Sequence, residues 1–222
     1  MNLNKDLIIK EKNKIQFPSK IFIDGKYKDS ITEKKFENIS PIDGKIINDI
    51  AFAQKEDVDL AVKSARNVFE KGSWSKADPS FRKKTLLKFA DLLEKHQLEL
   101  ALLDTIDVGK TVNDTYNSDL PASIDNIRWY AEIIDKIYDD IAPTPQNYIG
   151  MITKESIGVV GAIVPWNYPL WMAVWKIAPA LITGNSVILK PAEQSPMSAI
   201  RIAELLMEAG LPEGVFNVLP GD

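Results

Sequence analysis

The 222-residue sequence contains no cysteine and only one histidine, His96. Without a thiol there are no disulfides, no Cys-ligated zinc, no cysteine nucleophile and no Cys–His dyad. The lone histidine follows Lys95 at the end of an expected helix and reads as a surface residue. An excess of one charge is also missing. Lys and Arg total 27 against 31 Asp and Glu, a net charge of -4, which gives no reason to expect a nucleic-acid partner. No apolar run is long enough to cross a bilayer. The most apolar stretch, Pro169–Ile182, is short and holds Lys176 and Pro179. The first twenty residues are polar and Lys-rich, without the apolar core of a signal peptide. Together these absences lead to an expectation of a cytoplasmic chain with no membrane partner. Hydrophobic residues make up 45% and charged residues 26%, ordinary values for a globular protein.

Two patterns fill the chain. Residues 1–20 are expected as a flexible or loosely docked tail. Residues 21–140 read as hairpins and helices. Asp24-Gly25 and Asp43-Gly44 each supply the positive φ of a tight turn, so a small antiparallel sheet is expected near the start. In 57–70, Val58, Ala61, Val62, Ala65, Val68 and Phe69 form one helical stripe that stops at Gly72. Asp78-Pro79 opens a second helix to about Lys95, and a third spans 98–107 and ends at Gly109. A fourth is expected over 121–138, with Ile124, Ile127, Ala131, Ile134 and Tyr138 on one face. Residues 141–156 read as a linker and an extended strand.

From Ile157 the pattern becomes β-α-β-α-β. The run 157–164 is continuously apolar, as in a strand buried on both faces. A helix over about 170–181, a strand at 186–189, a helix opened by Ser195-Pro196, and a strand at 215–219 follow. This alternation predicts a parallel sheet wound with helices. Three strands are fewer than the five or six usual for a doubly wound nucleotide-binding sheet, so an incomplete Rossmann-type sheet with an open edge is expected over 157–222.

Several motifs reduce to simpler readings. Val108-Gly109-Lys110-Thr111 ends like a phosphate loop, but the required earlier glycine is Asp104 and a helix precedes it, so a helix stop is the better account. Gly158 and Gly161 do not make the Gly-x-Gly-x-x-Gly fingerprint. The sequons at Asn38 and Asn113 read as chance matches. Two strand exits remain. At the first, Asn167 sits between Trp166 and Tyr168-Pro169, where open α/β sheets bind ligands. Its carboxamide could donate to an oxyanion without a change of protonation, or the segment could be a plain turn. At the second, Lys190 and Glu193 stand three apart, within reach of the hydroxyls of one ribose, or in a solvated loop.

The run Ile157-Gly158-Val159-Val160-Gly161-Ala162-Ile163-Val164-Pro165-Trp166-Asn167-Tyr168-Pro169, with Gly184-Asn185-Ser186-Val187-Ile188-Leu189-Lys190-Pro191-Ala192-Glu193 and Ala209-Gly210-Leu211-Pro212-Glu213-Gly214, resembles the aldehyde dehydrogenase superfamily. Residues 21–150 fit more weakly, through Asp43-Gly44, Trp74 and Asp107-Val108-Gly109-Lys110. The resemblance implies an α/β fold with N-terminal helices and a small antiparallel hairpin or oligomerisation sheet that makes the strand in 141–156 an oligomerisation strand, NAD as cofactor, and an aldehyde as substrate. It implies that Asn167 is the oxyanion donor and that Lys176 lies close to the catalytic site. It places Ile163, Val164, Pro165 and Trp166 on the cofactor and Lys190 and Glu193 at its adenosine ribose. A carboxylate holding both ribose hydroxyls repels a 2′-phosphate, so Glu193 favours NAD over NADP. Tyr168, Met172 and Trp175 match the wall of the aldehyde tunnel, and the aromatic pair resembles the betaine-aldehyde and aminoaldehyde branch. Those rings could attract a substrate ammonium or merely pack the wall. No metal ligand set is implied.

The family's reaction needs a cysteine thiolate and a glutamate base that match no residue here. The expectation is therefore an N-terminal portion without its catalytic domain, inactive alone, whose partner is the missing C-terminal half or a homo-oligomer. A split enzyme completed by a second chain, and a non-catalytic NAD-binding or interaction module, are the alternatives.

Overall fold

The computed structural model describes residues 3–222; Met1 and Asn2 of the expected tail lie outside them. The rest of that tail is ordered differently from the expectation. Residues Lys5–Lys12 form helix α1, started by Asn4 Oδ1 accepting the Leu7 N–H at 2.8 Å. No α1 side chain is fully buried, but Ile15 and Phe17 beyond it pack on the core.

Strands β1 (Ile21–Ile23) and β2 (Lys26–Lys28) form the expected hairpin, with Asp24 and Gly25 both at positive φ. The hairpin does not stand in a separate sheet. Strand β1 pairs antiparallel with β9 (Phe216–Val218) through Phe22 and Val218, making one five-stranded sheet in the order β2-β1-β9-β8-β7. Here β7 is Val159–Ile163 and β8 is Ser186–Lys190, parallel to each other and to β9. Hydrophobic β1, buried at all three residues, could only be dry by joining a larger sheet. Strands β3 (Lys35–Ile39) and β4 (Ile46–Ala51) make one separate hairpin, and β5 (Asp140–Ala142) and β6 (Gly150–Ile152) another.

Helix α2 (Lys55–Lys71) covers one face of the sheet. A reciprocal cap between Gln54 and Asp57 starts it, and Gly72 in the left-handed region ends it. Its buried face is narrower than the expected stripe. Ala61 and Ala65 are buried on the sheet and Val68 in the main core, while Val58 and Val62 are each 42% exposed. The opposite face carries α7 (Pro169–Ile182) and α8 (Met197–Ala209). Outside these lie α3 (Pro79–Lys95), α4 (Gln97–Val108) and α6 (Leu120–Ile133).

Helix α6 is reached through a short helix α5 (Val112–Asp114) and a π turn at Thr115–Asp119 that the periodicity did not indicate. The Thr115 hydroxyl lies 2.9 Å from Thr105 Oγ1, so a buried polar pair occupies the widened turn. The helix also stops earlier than expected; Tyr138 lies beyond it and is 75% exposed.

Two further expectations need correction. The run 157–164 is not buried on both faces. Among the described residues β7 is an edge strand whose Val159 and Val160 are only partly buried against the helices on its two faces, and Ile163 at its end is 76% exposed. Helix α8 is not capped by the Ser195 side chain. Its first N–H, of Met197, donates to Asp107 Oδ2 of α4 at 2.9 Å.

Candidate functional site

Parallel register decides where the two strand exits lie. Ile163 on β7 stands opposite Lys190 on β8, and the Val164 N–H donates to the Lys190 carbonyl at 3.2 Å. The segments 163–168 and 190–193 therefore leave the same sheet edge side by side. Ser195 Oγ then donates to the Trp166 carbonyl at 3.2 Å, tying the second exit loop back onto the first.

On the first segment, Val164 is buried while Ile163, Pro165, Trp166, Asn167 and Tyr168 are exposed. Asn167 sits just before α7, its side chain open to solvent. On the second segment, Lys190 Nζ and Glu193 Oε2 are 3.7 Å apart. Glu193 lies below the usual carboxylate range, chiefly because its own backbone N–H donates to it, with Lys190 adding to the effect. An anionic acceptor and a cationic donor thus share one strand exit.

Helix α7 carries the remaining candidates. Tyr168, Trp171 and Trp175 form a row of edge-to-face rings, 5.5 Å between the first pair of centroids and 6.0 Å between the second. Met172 is half-buried beside them, and Trp175 and Lys176 are exposed. The far end of α7 is anchored: Trp74 Nε1 donates to the Leu181 carbonyl at 2.9 Å, and Arg82 Nε to Ile182 at 2.8 Å. Those donors satisfy two of the carbonyls that a helix C-terminus leaves open.

Lys110 was not among the residues expected at this site. Its Nζ lies 3.1 Å from the centroid of the Tyr168 ring and 2.7 Å from Asp119 Oδ2. One face of the Tyr168 ring is thus covered by the protein's own cation. Ser195 and Trp171 are likewise close to the site. Lys110 and Ser195 act on residues distant in sequence, which no short-range pattern reports, whereas Trp171 stands one helical turn from both Tyr168 and Trp175. His96, read as a surface residue, lies at the α3–α4 junction with Nδ1 2.7 Å from Glu99. Among the described residues no cluster of acidic or histidine side chains could hold a metal.

An open α/β sheet whose adjacent parallel strands end in a Lys–Glu pair and an exposed Trp-Asn-Tyr-Pro turn has the form of a ligand-binding strand-end site. The sequence model of the aldehyde dehydrogenase family matches residues 27–222, and the chain belongs to that family. It is 46% identical over 207 residues to an aminoacetaldehyde dehydrogenase of Pseudomonas aeruginosa, covering 93% of this chain and 42% of that protein. It is 48% identical over 203 residues to the NADP/NAD-dependent aldehyde dehydrogenase PuuC of Escherichia coli, covering 91% and 41%. In structure it superposes on the aldehyde dehydrogenase KauB from Pseudomonas aeruginosa with a TM-score of 0.97 and 47% identity, over 99% of this chain and 44% of that one. An indole-3-acetaldehyde dehydrogenase complexed with NAD+ gives 0.97 and 46%, with the same coverage. The chain thus spans well under half the length of these relatives.

Proposed function

We propose that this chain carries the cofactor edge and the oxyanion donor of an NAD-dependent aldehyde dehydrogenase acting on aldehydes that bear an amino or ammonium group. The observation that carries the reading is the register of Ile163 against Lys190, which brings both candidate cofactor segments to one edge. The residues present suit the cofactor: an exposed apolar shelf at Ile163, Pro165 and Trp166 lies next to a Lys190–Glu193 pair of donor and acceptor. Ile163, Val164, Pro165 and Trp166 would hold NAD along β7, and Lys190 and Glu193 would hold its adenosine ribose. Glu193, kept anionic, would repel a 2′-phosphate and so favour NAD over NADP. Bound NAD supplies the hydride acceptor. Asn167 would donate its amide N–H to the aldehyde oxygen as charge develops there, with Lys176 nearby on α7.

These 222 residues contain no thiol. They therefore bind and polarise but do not supply a cysteine nucleophile, and this chain by itself is proposed to be inactive, requiring a further segment or second chain for the covalent step. With Lys110 over one face of Tyr168 and Trp166 assigned to the cofactor, Trp175 is the exposed ring of the row that would meet a substrate ammonium. A second reading, an aromatic aldehyde stacked on the wall, is favoured by that same occupancy of Tyr168 and by the row of three rings.

Calorimetric titration of the purified chain tests the cofactor edge. NAD is expected to bind more tightly than NADP. Glu193→Gln is expected to weaken NAD about tenfold, the worth of one charge-assisted hydrogen bond, and to narrow the gap to NADP. A wild-type chain that takes up neither dinucleotide refutes the reading.

A further inference from the structure

The candidate cofactor segments leave the C-terminal ends of β7 and β8. At the opposite end of the sheet lies a second concavity with no part in the roles above. It is a cleft of about 540 Å³ between α2, the β1–β2 hairpin and the loop that enters β9. Helix α2 lines it with Leu60, Lys63, Asn67 and Lys71, a spacing that puts all four on one helix face. Lys28 of β2, Ser73 and Pro212 line the rest.

The lysines set this cleft apart. The chain carries a net charge of -4, yet Lys28, Lys63 and Lys71 share one concavity. Other half-buried cations meet carboxylates: Lys83, Lys110 and Arg201 do so at 2.6 or 2.7 Å. Among the described residues none of the three cleft lysines forms an ion pair, although Lys28 is itself half-buried. The two acids that line the cleft are engaged at the hairpin turn instead. Asp24 Oδ1 accepts from Ser64 Oγ at 2.8 Å. Glu213 folds over Gly25, where a Cβ would stand 2.7 Å from its Cγ. Three ammonium groups therefore face one space and repel one another, and an anion bound there relieves that repulsion.

The side chains also select the kind of anion. Lysine binds phosphate as a point charge, and three lysines match the charge of a phosphate better than that of one carboxylate. The Asn67 amide and the Ser73 hydroxyl offer neutral donors for further oxygens. Lys63 and Lys71 stand two helical turns apart, about 12 Å along the axis, within the combined reach of two lysine side chains. Leu60, 41% exposed, and Pro212 add apolar surface beside the donors. The volume is that of a small-molecule site rather than of a macromolecular surface. We propose that this cleft binds a small organic phosphate ester, with Lys28, Lys63 and Lys71 around the phosphate and the organic part against Leu60 and Pro212. The site stands apart from the proposed cofactor edge and does not depend on it.

Calorimetric titration of the full chain with phenyl phosphate tests this, in about 0.15 M NaCl, where loose surface attraction is largely screened. Phenyl phosphate is expected to bind, and inorganic phosphate about tenfold more weakly, because it has nothing to lay against the apolar wall. Lys28→Met and Lys63→Met are each expected to weaken phenyl phosphate about tenfold, the worth of one charge-assisted hydrogen bond, without lowering the melting temperature. Lys26→Met, on the hairpin but outside the cleft, is expected to change nothing. Absence of binding, equal affinity for inorganic phosphate, or indifference to Lys28→Met and Lys63→Met overturns the proposal. Loss of binding in Lys190→Met also overturns it, by placing the phosphate at the cofactor edge.

Discussion

The two segments that form the candidate cofactor edge are held very differently. The Lys190–Glu193 exit leaves β8, which has β7 on one side and β9 on the other, and Pro191, Ala192 and Ser195 around it are buried. The 163–168 exit leaves an edge strand, and five of its six residues are exposed. Its backbone is fixed at only a few points: Val164 on Lys190, Trp166 on Ser195, and Tyr168 accepting from Met172. The Lys190–Glu193 pair proposed to hold the ribose thus sits on a well-buried support, whereas the proposed oxyanion donor depends on its neighbours. A preorganised anion acceptor and a loosely supported donor can occupy the same sheet edge because strand order, not residue type, decides the support.

The largest effect expected to sharpen this contrast is on stability. Leu189→Ala on buried β8 should cost about 2–5 kcal/mol, by lost burial and the cavity left behind. Ile163→Ala at the exposed end of β7 should change stability by no more than about 0.5 kcal/mol. Urea unfolding of both variants measures the difference, and equal losses would mean that the two strands are equally supported.

The next effect is a pH dependence that belongs to two buried carboxylates of α4 rather than to the strands. Burial raises Asp104 and Asp107 to about 7 in the folded chain, above the ordinary carboxylate value. Between those values the folded state binds more protons than the unfolded state. Their contribution is therefore fully present below about pH 4 and is lost as pH rises through about 7. Thermal melts should rise by several degrees on going from about pH 8 to about pH 6, roughly 1 kcal/mol for each group. Asp104→Asn should remove about half of that slope. A melting temperature that falls over this interval would contradict the burial assigned to the pair.

Smaller effects probe the loosely held segment itself. Ser195→Ala removes one bond to the Trp166 carbonyl and should cost about 1 kcal/mol. It should speed amide exchange around Trp166 without altering that of β8; equal loosening of β8 would show that the two exits are not independent. Smallest of all, choline should quench tryptophan fluorescence weakly in wild type and less in Trp175→Leu, where exposed Trp129 and Trp166 remain, since an exposed cation–π contact is worth only about 0.5–1 kcal/mol. Tyr168→Leu should leave that quenching intact, because Lys110 already covers one face of the ring; loss of it there would place the ammonium at Tyr168 instead.

The contrast between the segments also explains what could be read from residues alone. The β-α-β-α-β alternation rests on local periodicity, and strands β8 and β9 and helices α7 and α8 lie within a few residues of expectation. The alternation put 163–168 and 190–193 each at a strand exit, and the observed register brings the two exits side by side. Distant pairings carried no such signal. The hairpin at Asp24-Gly25 was legible as a turn, but nothing in it announced that β1 would pair with β9. The apolar run 157–164 reported what the strand could bury, not what lies against it. Asp107-Val108-Gly109-Lys110 was visible as a helix stop, yet the placement of Lys110 on Tyr168 and of Asp107 on Met197 depends on how α4 packs. Residues that touch a ligand occupy strand exits, where topology points; residues that hold those exits in place come from elsewhere in the chain.

The most direct measurement is hydrogen exchange of the purified chain with and without saturating NAD, followed peptide by peptide. The account predicts that 163–166 and 190–193 become protected together, with the larger gain in the looser first segment, while the exposed β5–β6 hairpin stays unchanged. Protection confined to one segment, or none in either, would contradict a single cofactor edge built from both.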